Sequence, residues 1–236
     1  MLKDKDIREP LFEYLEEIYG KIRILEEKNV GNSRADIMMV LDGAIVGIEI
    51  KSDADTYARL KTQVKDYDKY FDYNIVAVGS THGHHIAEHV PKHWGIITIE
   101  VVDGEFDFYY LRKPSLNMNM EWRKKLGILW RPEIALIQEK YGMPKYKQKR
   151  KEFVIGKICE KLLDEHEEEL NFCLSEILFE RDYNEAEKII EEYRKGEIQK
   201  KLEKEDDPKR QIELMMERAA KRVNLKNITR RKRKRR

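Results

Sequence analysis

The chain has 236 residues, with 47 Lys and Arg against 45 Asp and Glu and a formal net charge of +2, which allows one full core plus an appendage and excludes a uniformly basic binder. The final seven residues, Arg230 to Arg236, are all basic, so the other 229 carry a net charge of −5 and the tail is a separate electrostatic device. Two cysteines make no disulfide framework, and a charged start without any long apolar run argues against a signal peptide or membrane span, so a cytoplasmic protein is expected, nucleoid-associated in a bacterium.

Residues 4 to 19 predict a helix, with Ile7, Leu11, Tyr14, Leu15 and Ile18 on one stripe and Pro10 as an objection to continuity. Residues 21 to 26 can form a first strand. Two apolar strands follow, about 34 to 41 and 44 to 51, joined at Asp42-Gly43, a dipeptide suited to a two-residue type I′ hairpin. That turn pairs Leu41 with Ala44 and sets Asp36 opposite Glu49. Two facing carboxylates in an apolar sheet repel each other, and a divalent cation is the natural compensation. Lys51, two residues beyond Glu49, points to the same face. One sheet surface thus gathers Asp, Glu and Lys, the groups that metal-assisted phosphodiester cleavage uses.

Residues 53 to 71 predict an amphipathic helix bearing Gln63 and Tyr67 one turn apart, with Tyr67 read as a core aromatic. A short buried strand is predicted at 74 to 79, a helix at 83 to 90, and a hairpin of strands 95 to 101 and 105 to 111 around Asp103-Gly104. His85 and His89, at i and i+4, lack a third ligand for zinc; contact with phosphate suits this histidine-rich stretch better. Trp94 reads as core. The order of elements suits a mixed sheet sandwiched by helices.

No strand is predicted after Pro114. Helices are expected at 133 to 141 and 152 to 163, separated by the basic run Lys145 to Lys151 with Tyr146 inside it. This helix–loop–helix resembles SAP-type DNA-binding modules, which implies DNA contact by Lys147, Lys149 and Arg150; a plain helical appendage is the other reading. Residues 164 to 227 predict highly charged helices with exposed faces, a possible surface for a protein partner, interrupted near Asp206-Asp207-Pro208. Three regions are therefore expected: a core at 1–113, a helical appendage at 114–229 with the helix–loop–helix at 133–163, and a basic tail at 230–236. Arg230, Arg231 and Arg233 are candidate phosphate contacts in that tail.

Asp36, the hairpin, and Glu49-Ile50-Lys51 together resemble the PD-(D/E)XK nuclease superfamily, although Ala35 stands where its proline is usual. Gln63-Val64-Lys65-Asp66-Tyr67 is similar to the Q-x-x-x-Y motif of RecB-like nucleases. Gly31 to Asp36 with Glu49-Ile50-Lys51-Ser52 also resembles the MmcB-like DNA-repair branch. The resemblance spans roughly residues 20 to 100. It implies a restriction-endonuclease-like α/β fold, a mixed sheet flanked by helices with a helical C-terminal region. It further implies a metal-dependent nuclease on DNA, endo- or exonucleolytic, in repair, mobile-element or defence processes. Asp36 and Glu49 would hold Mg²⁺ or Mn²⁺ with the Ile50 carbonyl, a hard oxygen set. Lys51 would orient the nucleophile or stabilise charge, and Gln63 would position Lys51 or water.

Four further acids compete to complete the site. Glu9 and Glu13 point away from the helix stripe, and of Glu26 and Glu27 only one can face the hairpin, with Glu26 the preferred accessory acid. Arg34 could pair with Asp36 or bind phosphate. The alternative function is a non-catalytic nucleic-acid-binding or partner-recruiting protein on the same fold. The facing carboxylates argue against it, because they repel phosphate.

Overall fold

In a computed structural model the described residues are 4–52, 56–79, 83 and 85–181. Helix α1 (Asp4–Tyr19) precedes strands β1 (Arg23–Val30), β2 (Ser33–Leu41) and β3 (Ala44–Lys51). A 3₁₀ turn at Tyr57–Arg59 leads into α2 (Leu60–Tyr70), then β4 (Tyr73–Gly79), β5 (Gly95–Val102) and β6 (Glu105–Arg112). Helices α3 (Trp122–Lys125), α4 (Arg131–Lys140), α5 (Lys151–Leu162) and α6 (Glu167–Phe179) complete the described part. It falls in one unit, Met1–Arg181. The charged segment beyond Arg181 and the basic tail with Arg230, Arg231 and Arg233 lie outside the described residues.

The six strands lie in sequence order in one mixed sheet. β1–β2, β2–β3 and β5–β6 are antiparallel, while β3–β4 and β4–β5 are parallel. The parallel β3–α2–β4 crossover lays α2 against β2, with Tyr67 reaching β3 at Gly47. Side-chain alternation sorts the strands into two cores. On one face Ile37, Met39, Val46, Ile48, Ile75 and Ala77 pack with Ile7, Leu11 and Leu15 of α1. On the other, Met38, Val40, Ile45, Val76 and Val78 pack with α2, Trp94 and the helices beyond residue 122. β2 and β3 are covered on both sides, as their two apolar faces require. Among the described residues no helix is long and apolar enough to cross a membrane.

Helix α1 starts at Asp4 and carries Pro10 inside it. The expected helix is therefore continuous through the proline. Helix α6 corrects another expectation. Its three leading glutamates suggest a solvated helix, yet Leu170, Cys173, Leu174 and Leu178 are buried against the sheet's second face. The Asp42-Gly43 turn keeps the expected two-residue register, Leu41 opposite Ala44. It is not type I′, however: Gly43 has φ +73° and Asp42 is not in the left-handed region, so only the second turn residue needs the freedom of glycine. The Gly43 amide donates to Ser175 Oγ at 2.9 Å, and a Cβ at Gly43 would lie 2.9 Å from the Phe172 ring. At the β5–β6 turn Asp103 and Gly104 both take positive φ, as a type I′ turn demands.

The C-terminal helices are tied to the sheet by buried charge. Lys125 is fully buried, and its ammonium donates to Asp72 at 2.6 Å, while Asp72 also accepts from the Ile45 amide at 2.8 Å. Arg181 pairs with Glu133 at 2.6 Å and lies over the Trp130 ring, 4.1 Å from its centroid.

Candidate active site

The β2–β3 ladder ends with Ile37 opposite Ile48. Asp36 and Glu49 lie one residue beyond it, where Asp36 Oδ2 accepts from the Ile50 amide. Glu49 lies on the face that α2 covers, with Asp36 beside it in the same cleft, and α2 is close there for a sequence reason. Gly47 has no side chain, and a Cβ would fall 2.2 Å from Phe71 and 2.8 Å from Tyr67. That approach brings Gln63 and Tyr67 onto Glu49.

Glu49 is 1% exposed. The Tyr67 hydroxyl donates to its Oε2 at 2.5 Å, while Lys51 Nζ and Gln63 Nε2 both donate to Oε1. Three donors occupy three of about four acceptor positions on the carboxylate, leaving room for one more partner. Tyr67 is thus both a core aromatic, packed on Phe71 and Trp94, and a direct partner of Glu49. Burial raises the Tyr67 hydroxyl well above its ordinary value, with Glu49 and Asp36 adding to it, so it acts as a donor.

Asp36 is half-buried and less well served. Its Oδ2 accepts from the Ile50 amide at 2.9 Å. Burial, and next the charge of Glu49, push its carboxyl up to about 7, against the Ile50 hydrogen bond and Lys51, which lower it. An added positive charge would relieve that repulsion. Asp36 also keeps its backbone in place through Tyr67 at 3.3 Å and Arg8 at 3.3 Å.

These groups open into a cleft of about 560 Å³ lined by Asp36, Glu49, Ile50, Lys51 and Gln63, by Asp4 of α1, and by Arg34 and its neighbours in the β1–β2 turn. Asp66 fixes that turn, accepting from the Asn32 amide at 3.1 Å and the Ser33 hydroxyl at 2.7 Å. Gly31, at φ +61°, lies so close that a Cβ would fall 2.6 Å from Asp66. Arg34 is 65% exposed and pairs with Glu27, not with Asp36.

The structure brings Asp36, Glu49, Ile50, Lys51, Gln63 and Arg34 together. It does not bring Glu26. Glu26 pairs with Ile37 across β1–β2, a residue of the α1 face, and its carboxylate is bound by Arg8 at 2.7 Å. The alternation then slips. Glu27 has φ 55°, and Leu25 and Val30, five apart, share one core, as do Met38 and Ala35, three apart. A strict alternation therefore misjudges which acid faces where. The acid that lines the cleft instead is Asp4, whose Oδ2 accepts from Arg8 at 2.9 Å while its buried Oδ1 has no hydrogen-bond partner among the described residues. Lys147, Lys149 and Arg150 lie in the α4–α5 loop, outside the cleft lining. His93 pairs with Asp68 at 2.9 Å, and the His89 ring lies tilted against Tyr57, 4.4 Å between centroids.

The donor set fits a hard divalent cation. Gln63 Oε1 and Asp4 Oδ1 are buried oxygens with no hydrogen-bond partner among the described residues, and Asp36 is held uneasily beside Glu49. Among the described residues, no three His, Cys, Asp or Glu side chains cluster closely enough to form a metal cage by themselves. A cation here would therefore draw on Gln63 or backbone oxygen as well.

Among known proteins, Protein cII of Enterobacteria phage P4 is 22% identical over 146 residues, 61% of this chain and 55% of that protein. The chain thus spans about half the length of that relative. The structure of Pyrococcus furiosus SfsA in complex with Ca²⁺ aligns at a TM-score of 0.31 and 15% identity, over 50% of this chain and 63% of that one. A likeness of that size carries no argument about fold or activity. The family model of bacteriophage P4 protein cII matches residues 2–201, and the chain belongs to that family.

Proposed function

We propose that this chain is a metal-dependent nuclease of the PD-(D/E)XK type that hydrolyses phosphodiester bonds in DNA. One observation carries the reading: a single cleft joins Asp36 and Glu49, from adjacent strands joined by an Asp-Gly turn, to Lys51 and to Gln63 of the next helix. A solvated ion-pair cluster would not bury Glu49 to 1% or place three donors on it.

Asp36, Glu49 and the Ile50 carbonyl would hold Mg²⁺ or Mn²⁺, with Gln63 Oε1 and Asp4 Oδ1 as further oxygens within the same cleft. A divalent cation, when bound, supplies charge neutralisation at phosphate and a more acidic water. The protein's own groups do the rest. Tyr67 and Gln63 fix the Glu49 carboxylate in one rotamer, so its charge is aimed before substrate arrives. Lys51, 5% exposed and bound to Glu49, also acts on Asp36 and stabilises negative charge developing on the phosphoryl oxygens. Arg34, on the exposed lip, takes a neighbouring phosphate.

The test is cleavage of plasmid, linear duplex, single-stranded DNA and RNA with Mg²⁺ or Mn²⁺. Lys51→Ala should lower the rate by roughly two to three orders of magnitude, the scale of losing one transition-state charge stabiliser. Full activity in that variant sinks the mechanism. A wild-type protein inert on every substrate sinks the nuclease reading and leaves a nucleic-acid-binding or partner-recruiting role.

A further inference from the structure

The loop between α4 and α5 has features that the cleft does not use. Residues 145 to 151 read Lys-Tyr-Lys-Gln-Lys-Arg-Lys, five cations without a carboxylate, in a chain where acids nearly equal bases. Lys145, Lys147, Lys149 and Arg150 are exposed, and none forms an ion pair among the described residues. The backbone here is also held in a costly shape. Tyr146 has φ 43° and Gln148 φ 68°, two non-glycine residues in the left-handed region, each costing about 1–2 kcal/mol. Tyr146 anchors this shape: it packs against the helical core and meets the Phe153 ring edge-on at 5.5 Å. Phe153, on the first turn of α5, stays 41% exposed. The ammonium groups of Lys149 and Lys157 lie 5.4 and 6.0 Å from its ring centroid.

A solvated helix start has no need of an exposed phenylalanine, and a structural cation cluster would be interleaved with acids. An aromatic face flanked by two ammonium groups and continued by a carboxylate-free basic loop matches one ligand chemistry, alternating flat bases and phosphates. We propose that Lys147, Lys149, Arg150 and Phe153 form a binding surface for single-stranded nucleic acid, with phosphates on the cations and one unpaired base stacked on Phe153, while Lys157, paired with Glu160 at 2.6 Å, only flanks the ring. A duplex has no free base face to offer the ring, so single strands should gain from it and duplexes should not. None of these residues lines the cleft. The surface therefore stands or falls apart from the nuclease reading.

The experiment uses the full chain in EDTA, which silences any cleavage, and follows fluorescence anisotropy of a labelled oligothymidine and of a labelled duplex across a salt series. The tail is present in every variant, so differences report the loop. Lys147→Glu/Lys149→Glu should weaken single-strand binding and reduce the log–log salt slope by about 1.4, roughly 0.7 for each phosphate lost. Phe153→Ala should weaken single-strand binding by roughly 5- to 150-fold, the worth of one stacked base, with the salt slope and duplex binding unchanged. Phe153→Tyr keeps a ring and should keep the affinity. Unchanged affinity and slope in the charge-reversal variant overturn the site. So does a Phe153→Ala loss that is absent or equal on both ligands. All three positions are at the surface, and Lys147→Ala/Lys149→Ala, with a smaller loss in the same direction, guards against a folding defect in the reversal variant.

Discussion

Asp36 should be a residue that the protein keeps at the expense of stability. Its carboxyl rises from an ordinary 3.8 to about 7, first because it is buried and next because Glu49 is beside it. Between those two values the folded state holds a proton that the unfolded chain has released. Stability must then fall as pH rises through that window, and the full penalty is present above about pH 7. Each pH unit is worth ~1.4 kcal/mol, so the upper figure is about 4 kcal/mol; the half-exposed position of Asp36 reduces it. Asp36→Asn removes the charge, preserves the shape, and keeps an oxygen for the Ile50 amide. Without metal at about pH 8 the variant should therefore be more stable than wild type by roughly 2–4 kcal/mol. Near pH 4, where Asp36 is already protonated, the two should agree within about 1 kcal/mol. Urea denaturation in EDTA at both pH values measures the difference directly. Saturating Mn²⁺ should narrow the gap at high pH, since wild type gains more by binding than a variant that lacks the Asp36 charge. A wild type equal to or more stable than Asp36→Asn at about pH 8 refutes the repulsion on which the metal argument rests.

Mn²⁺ at a hundredfold excess over its dissociation constant should stabilise wild type by about 2.7 kcal/mol, and Glu49→Ala should abolish the gain; identical denaturation midpoints with and without Mn²⁺ in both proteins exclude the site. Gly47→Ala drives a methyl toward Phe71 and Tyr67, which lie 2.2 and 2.8 Å from where it would sit. It should cost about 1–3 kcal/mol and weaken Mn²⁺ binding by moving the Tyr67 hydroxyl off Glu49; wild-type stability and affinity together would show that α2 does not position the site.

The centre of the sheet was legible because its signals are local. A two-residue loop at Asp42-Gly43 sets the register of β2 on β3, and period-two alternation then places Glu49 and Lys51 on one face whatever the rest of the chain does. Gln63 and Tyr67 followed from one helical turn. What failed depends on distant residues. The turn at Gly43 is packed by Phe172 and Ser175, from the far end of the described chain, contacts that no local signal announces. Helix α6 hides its apolar residues Leu170, Cys173, Leu174 and Leu178 behind Glu167, Glu168 and Glu169, so composition reads as solvation where spacing reads as core. Strand alternation leaves open which sheet face Glu26 takes, and its pairing with Ile37 puts it on the α1 face, after which alternation breaks at Glu27. A non-glycine residue with positive φ leaves no trace in sequence.

Asp4 shows the same limit at the site itself. An acidic residue in a helix's first turn is accounted for by the helix dipole, and sequence offers no reason to ask more of it. The fold does. Asp4 lines the cleft, Arg8 holds its Oδ2, and its Oδ1 is buried with no hydrogen-bond partner among the described residues. Its charge also helps to raise Asp36. Two roles are separable. If Asp4 donates an oxygen to the cation, Asp4→Asn should weaken Mn²⁺ binding by roughly 10–100-fold, the scale of losing a supporting ligand contact. If it acts only through its field, affinity at high pH should hold and the pH midpoint of binding should move lower, because Asp36 ionises more easily without a negative neighbour. Isothermal titration with Mn²⁺ across a pH series reads both quantities in one protein. Arg8→Lys, which keeps the charge but loses the forked contact to Asp4, should give a smaller version of the same change. Unaltered affinity and midpoint in Asp4→Asn would leave the acid a helix cap that happens to line the cleft.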